Sequence, residues 1–315
     1  MRAEPEAAKT ALSFYCDDTN PYVAPAEAFE VFLDFISAHG VRGEASFIPG
    51  ISCGAHGLLS RPSTDNQRAF VELTQGAFER GLDTHMELMT HAGLYDFEAD
   101  AMPADAVHEG LWLHEPDVGV ADYGSYFEHI IQEAERVGVP FTGLTWPGCS
   151  CEACTSRYGE LRRQGVARPN ANMWQALLDL ARRGRFRGST VPCFIGSEAE
   201  GGGPRLMAAD GEFGVYDLCA NAGDRLGSYD NDPARADADY YVTADGQSGR
   251  IVDLVRAGAP YCLFYMHWQG MNPANGVGWD AFRLVVERVA QHLSDRVLWM
   301  RPSEYTARCH PPAGV

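Results

Sequence analysis

The chain has almost no lysine: among 315 residues Lys9 stands alone, and arginine supplies the rest of the positive charge. With 25 basic residues against 43 acidic ones, the formal charge is −18. A surface of that sign repels nucleic acid and anionic bilayers over most of its area, so neither is expected as a partner; a neutral or cationic small molecule fits better. Also lacking is a basic stretch followed by an apolar one at the start, where MRAEPEAAKTALSFYC is acidic instead. A secretion signal is therefore not expected. No window reaches the roughly 20 apolar residues of a membrane span. The nine cysteines are odd in number, and Cys16, Cys193, Cys219 and Cys262 lie in apolar segments, which suits reduced buried thiols better than a disulfide framework. These absences favour a soluble, cytoplasmic chain, with a homo-oligomer left open.

What is present is an alternation of short apolar runs with helical periodicity, the pattern of parallel strands joined by crossover helices. Strands are expected at 11–16, 43–48, 82–91, 111–114, 140–146, 189–195, 214–219, 259–267 and 297–300. Between them lie amphipathic stretches such as Phe29, Phe32, Leu33 and Ile36, or Phe282, Val285, Val286, Val289 and Leu293. Helices are also expected over 158–163 and 171–183. The fold class is α/β, a single distorted (β/α) barrel of seven or eight units over 11–305, with tails at 1–10 and 306–315. A Gly- and Asp-rich excursion around 198–250 breaks the rhythm and reads as a lid or mobile loop. Its Asp230, Asp232, Asp237 and Asp239 lack the spacing of a calcium loop and read as solvated.

Ionisable residues gather where the expected strands end, which in a β/α barrel is the active face. Asp17 and Asp18 follow the first strand, Glu87 and His91 lie on the third, His114 and Glu115 close the fourth, and His267 ends the nearly all-apolar APYCLFYMH. Adjacent carboxylates at a strand end point to opposite sides, so one suits a metal while its neighbour takes a proton. An imidazole across the barrel suits a general acid. The Asp-Asp pair also suits a turn or helix cap. Aromatics crowd the same rim; Trp146 and Trp268, in expected loops, are candidates to stack on a sugar ring.

The segments LSFYCDD, GEASFIPG, GLDTHMELMTH, YCLFYMHWQ and RVLWMRPSEY resemble, in order, those of the polysaccharide deacetylases of the NodB-homology type, in the glycoside hydrolase/deacetylase barrel superfamily. The resemblance implies Asp17 as catalytic base, Asp18 and His91 as metal ligands, and His267 as acid. It also implies a divalent metal, zinc by expectation, and a small acylated carbohydrate as substrate. The family's metal motif has two histidines four apart, whereas the residue four after His91 is Tyr95, and His85 lies six before it. On an extended strand His85 and His91 would stand ~20 Å apart, so His114, Glu87 or Asp96 is a candidate for the remaining ligand. Glu87 and Glu115 are otherwise candidates for substrate contact.

Cys149, Cys151 and Cys154 form a C-x-C-x-x-C cluster that suits a second, structural zinc, with Cys193 or a histidine as fourth ligand; packed thiols and a redox pair are the alternatives. The leading expectation is a metal-dependent hydrolase removing an acetyl group from a carbohydrate. A glycoside hydrolase pairing Asp17 with Glu115 or Glu198, and a non-catalytic sugar-binding barrel without the full metal triad, are the rivals.

Overall fold

The first strand, β1 (Thr10–Asp17), is buried along its whole length, as a strand covered on both faces must be. Its pleat sorts side chains by parity. Leu12, Phe14 and Cys16 join the large apolar layer that holds the helices, while Ala11 and Tyr15 join a smaller cluster with Phe194, Tyr261 and Leu263. Tyr15 stacks on Phe194 at 4.5 Å and meets His85 at 5.3 Å. These contacts cross to other strands and mark that face as the barrel interior.

The computed structural model describes residues 9–51, 56–148, 156, 159–160, 169–195 and 203–310. After β1 come α1 (Ala26–Ala38), β2 (Gly43–Phe47), α2 (Asp65–Gln75), β3 (Leu82–Met86), α3 (Glu109–Trp112), α4 (Val120–Glu135) and β4 (Gly143–Thr145). The chain continues through α5 (Ala171–Arg182), β5 (Thr190–Phe194), β6 (Arg205–Asp210), β7 (Phe213–Asp217), α6 (Ala238–Tyr241) and α7 (Arg250–Arg256). It ends with β8 (Tyr261–His267), α8 (Val277–His292), β9 (Val297–Trp299) and α9 (Pro302–Cys309). The strand order is β6-β7-β5-β4-β3-β2-β1-β8, with β9 added to β1 at Thr10–Leu12. Every pairing is parallel except that of β6 with β7. Among the described residues no helix is long and apolar enough to cross a membrane.

The expected distorted barrel is present, although its ladder is not strictly closed. Between β7 and β8 the seam is bridged by the chain that follows β7. Ala222 donates its amide to Leu263 O at 2.9 Å. The Asn221 side chain acts as a strand backbone would, accepting from Leu263 N at 2.8 Å and donating to Tyr261 O at 3.0 Å.

Several elements differ from expectation. The third strand stops at Met86 rather than running on to His91. The segment 111–114 is the end of α3 and the turn beyond it, not a strand; a run of three apolar residues fits either form, and His108 caps the helix by accepting from Gly110 N at 3.0 Å. The excursion is not all loop, since β6 forms a hairpin with β7. Its acidic residues are solvated as expected, Asp232 and Asp237 capping short helical turns and Asp230 pairing with Arg235 at 2.6 Å. Instead of a tail from 306, α9 continues to Cys309, with buried Thr306 hydrogen-bonded to Thr190 on β5 at 2.9 Å. The free thiols of Cys16, Cys193, Cys219 and Cys262 are buried. Most of the expected helix at 158–163 lies outside the described residues.

Replacing Asn221 by Ala removes both seam bonds and is expected to lower stability by about 1–3 kcal/mol, the cost of leaving partly buried backbone groups without partners. Urea unfolding measures it, and an unchanged midpoint would show that the seam is held by something else.

Candidate functional site

Strands β1 and β8 run in parallel register along seven residue pairs, the last of which is Asp17 with His267. Register partners project from the same face, and both residues continue the inward parity of Tyr15 and Tyr265. Asp17 Oδ2 consequently lies 3.9 Å from His267 Nε2 at the C-terminal mouth of the barrel. The same parity turns Trp268 outward: it is 0 % exposed and packs against Phe29 and Phe32, each at 5.7 Å. Trp268 is thus a core residue rather than the ligand contact expected of it.

One residue beyond β1, Asp18 takes a left-handed φ of 59°, a conformation that aspartate tolerates better than most residues. Its Oδ1 meets His91 Nε2 at 2.9 Å, and the same nitrogen meets Glu87 Oε1 at 3.1 Å. Ligand atoms of Asp18, Glu87 and His91 all lie within 4.8 Å of one another. Donors to one first-row ion, each roughly 2 Å from it, approach that closely, so two carboxylates and one imidazole here fit a divalent cation. The set is tied together by Asp18 N donating to Glu87 Oε2 at 3.0 Å and Gln269 Nε2 donating to Asp18 Oδ2 at 2.7 Å.

Glu87, which lines the cleft, therefore belongs with the candidate ligands. Its position could have been read: a pair four apart exists when counted backwards from His91, with glutamate in the earlier place. His85 points into the barrel, fully buried, its Nδ1 3.3 Å from Thr145 Oγ1. His114, offered as a ligand, is not in the converging group; its ring packs against Trp146 at 5.8 Å. Asp96 caps a turn by accepting from Glu98 N and Ala99 N. Glu115 does not line the cleft, and its carbonyl accepts from Asn170 at 2.7 Å. Cys149, Cys151 and Cys154, like Glu198, lie outside the described residues, and Cys193, their suggested partner, is buried on β5.

Asp224 is a further member that no periodicity flags. Its Oδ2 lies 3.1 Å from His267 Nδ1, and Ser228, which donates to both of its oxygens, accepts from His267 N at 2.9 Å. Burial alone would push His267 down, but the Asp224 hydrogen bond and the charges of Asp17, Asp18 and Asp224 lift it to about 9. Burial works against ionising Asp18 as well, yet its hydrogen bond with His91, that residue's charge and the Gln269 amide hold it at about 2. His91 is pushed down by burial and raised well above the usual range by the Glu87 and Asp18 carboxylates. Asp17 is raised by burial and by the charge of Glu87, and its buried Oδ1 has no hydrogen-bond partner among the described residues.

These groups sit in a cleft of about 530 Å³ walled on one side by Trp146, Phe194, Tyr229 and Tyr265. A hollow of about 680 Å³ at the opposite rim is lined by Lys9, Arg42, Trp299 and Glu304. It gathers no acid–base set, and Arg42 is paired with Glu304 at 2.6 Å.

No protein-family model matches the chain, and no curated protein matches its sequence. Solved structures match its fold. A "probable Polysaccharide deacetylase from Pseudomonas aeruginosa PAO1" superposes with a TM-score of 0.53 at 13% identity, over 98% of this chain and 94% of that one. A 4-alpha-glucanotransferase from Thermococcus litoralis gives 0.52 at 11% identity, over 96% of this chain and 40% of that one. The chain has a deacetylase-like β/α-barrel fold.

The pH dependence of His267 follows from Asp224. A value raised from 6.5 to about 9 means that the imidazolium's contribution to stability is fully present below about pH 6.5 and is lost as pH rises through about 9. In Asp224→Asn the midpoint should fall toward about 6.5. An NMR titration of the His267 ring measures this, and an equally high midpoint in the variant would remove Asp224 from the site.

Proposed function

We propose that the chain is a metal-dependent hydrolase of the deacetylase type, removing an acetyl group from an N- or O-acetylated carbohydrate. The observation that carries the proposal is the convergence of Asp18, Glu87 and His91 beside Asp17 and His267 in one aromatic-walled cleft. The fold shared with a polysaccharide deacetylase supports it.

Asp18, Glu87 and His91 would hold the ion, zinc by this reading, although a donor set with two carboxylates also suits harder ions such as Mn²⁺. When bound, the ion supplies Lewis-acid polarisation of the acyl carbonyl. Asp17 takes the proton of the attacking water, and its raised value makes it the stronger acceptor once ionised. His267, held as imidazolium by Asp224, donates a proton to the departing nitrogen or oxygen. Their 3.9 Å separation is short enough for acceptor and donor to serve one reacting carbon. Trp146, Tyr229 and Tyr265 offer flat faces to a sugar ring.

Of the two partners the glycosidase reading offers Asp17, Glu115 does not line the cleft and Glu198 lies outside the described residues. The non-catalytic reading would gain support from a wide gap between Asp18 and His91 filled by another side chain; they are 2.9 Å from each other.

Acetate release from N- and O-acetylated oligosaccharides tests the proposal. Asp17→Asn should lose about 10²- to 10⁴-fold in kcat, the usual worth of general acid–base catalysis, while still binding metal. Asp18→Ala should lose both metal and activity. Full activity in Asp18→Ala would end the metal reading.

A further inference from the structure

The turn that carries His91 has a backbone its sequence does not favour. Leu88 and His91 both adopt left-handed φ values, 56° and 53°, a region that β-carbons make costly. Had ELMTH continued the strand, residues four apart would stand about 13 Å from each other. Instead His91 Nε2 is 3.1 Å from Glu87 Oε1. The turn is what makes a shared ligand set of Glu87 and His91.

Three consecutive amides of this turn point at one carboxylate. Met89 N donates to Glu109 Oε1 at 2.9 Å, while Thr90 N and His91 N donate to Oε2 at 3.0 and 2.9 Å. Glu109 is the first residue of α3 and is 0 % exposed. Its own amide is fixed to Ala92 O at 2.7 Å. The Tyr126 hydroxyl of α4 donates to Oε1 at 2.5 Å and accepts from Tyr95 N at 2.9 Å. A carboxylate taken out of water needs its lone pairs filled, and the turn's amides need an acceptor; each solves the other's problem. This explains why the chain leaves the sheet after Met86.

We propose that Glu109 is a positioning residue for the cation site, holding the 87–91 turn so that the Glu87 carboxylate and the His91 imidazole face Asp18. The inference rests on reading Asp18, Glu87 and His91 as that site. Glu109 touches neither substrate nor ion; it acts through the backbone of His91, as outer partners of metal ligands do when they fix a ligand's orientation.

The test uses Glu109→Gln, which keeps the shape and one acceptor oxygen but turns an N–H toward the amides, and Glu109→Ala alongside it. Leu177→Ala, a buried core change on α5 outside the turn, controls for general destabilisation. Zn²⁺ affinity is measured by calorimetry, and exchange of the Met89, Thr90 and His91 amides by NMR. Glu109→Gln should bind Zn²⁺ about 10- to 100-fold more weakly, the usual effect of losing an outer partner, with faster exchange at those three amides. Leu177→Ala should lower the melting temperature and leave the affinity unchanged. A folded Glu109→Gln that binds Zn²⁺ as tightly as the parent overturns the positioning role alone, as does an equal loss in Leu177→Ala. A parent protein that takes up neither Zn²⁺ nor Mn²⁺ overturns the metal reading first, and is recognised because the failure precedes any substitution. If neither Glu109 variant folds, protection of the three amides in the parent, greater than that of their neighbours, is still required; its absence overturns the inference.

Discussion

Two parallel strands that end in register hold the site in place. Because β1 and β8 pair residue for residue from Ala11 with Tyr261 to Asp17 with His267, one pleat parity decides which side chains enter the barrel on both strands at once. Leu12, Phe14, Cys16, Phe264 and Met266 face the helices and bury the large core. Ser13, Tyr15, Asp17, Tyr265 and His267 fall on the other parity, and the last pair reaches the mouth, where the sheet stops and solvent begins. A slip of one residue would send Asp17 under the helices and bring Trp268 into the cleft. The burial of Phe14 and Phe264 therefore fixes the positions of Asp17 and His267, and the energy that holds them is that of an ordinary core.

A second constraint works against the sheet. Glu109 draws the chain out of β3 and bends it, so that Glu87 and His91 meet over Asp18. The interior beneath stays polar and closed: Glu44 and His85 are fully buried, and burial pushes His85 down to about 3 and raises Glu44. Charge is concentrated at the mouth, where Asp18 is held low and His267 high by their neighbours.

Much of this was legible in the sequence, for reasons that are physical. Strand parity depends only on alternation, so Asp17 and His267 could be placed at strand ends from ALSFYCD and APYCLFYMH. The same rule, carried one residue further, would have sent Trp268 into the core. What could not be read lay where distant groups decide the backbone. LDTHMELMTH has the composition of one strand of ten residues, and nothing in it announces that a carboxylate 20 positions from Met89 will capture three of its amides. Asp224 sits in a stretch without periodicity, and its role exists only because Ser228 and His267 come to it through the fold. Short apolar runs such as LWLH carry too few residues to separate helix from strand.

The central claim is that Asp18, Glu87 and His91 converge to hold one divalent ion. Anomalous diffraction from crystals soaked in Zn²⁺, collected on both sides of the metal edge, addresses it directly. The account predicts a peak within bonding distance of Asp18 Oδ1, Glu87 Oε1 and His91 Nε2. Density showing His91 still hydrogen-bonded to both carboxylates, with the peak elsewhere or absent, would contradict it.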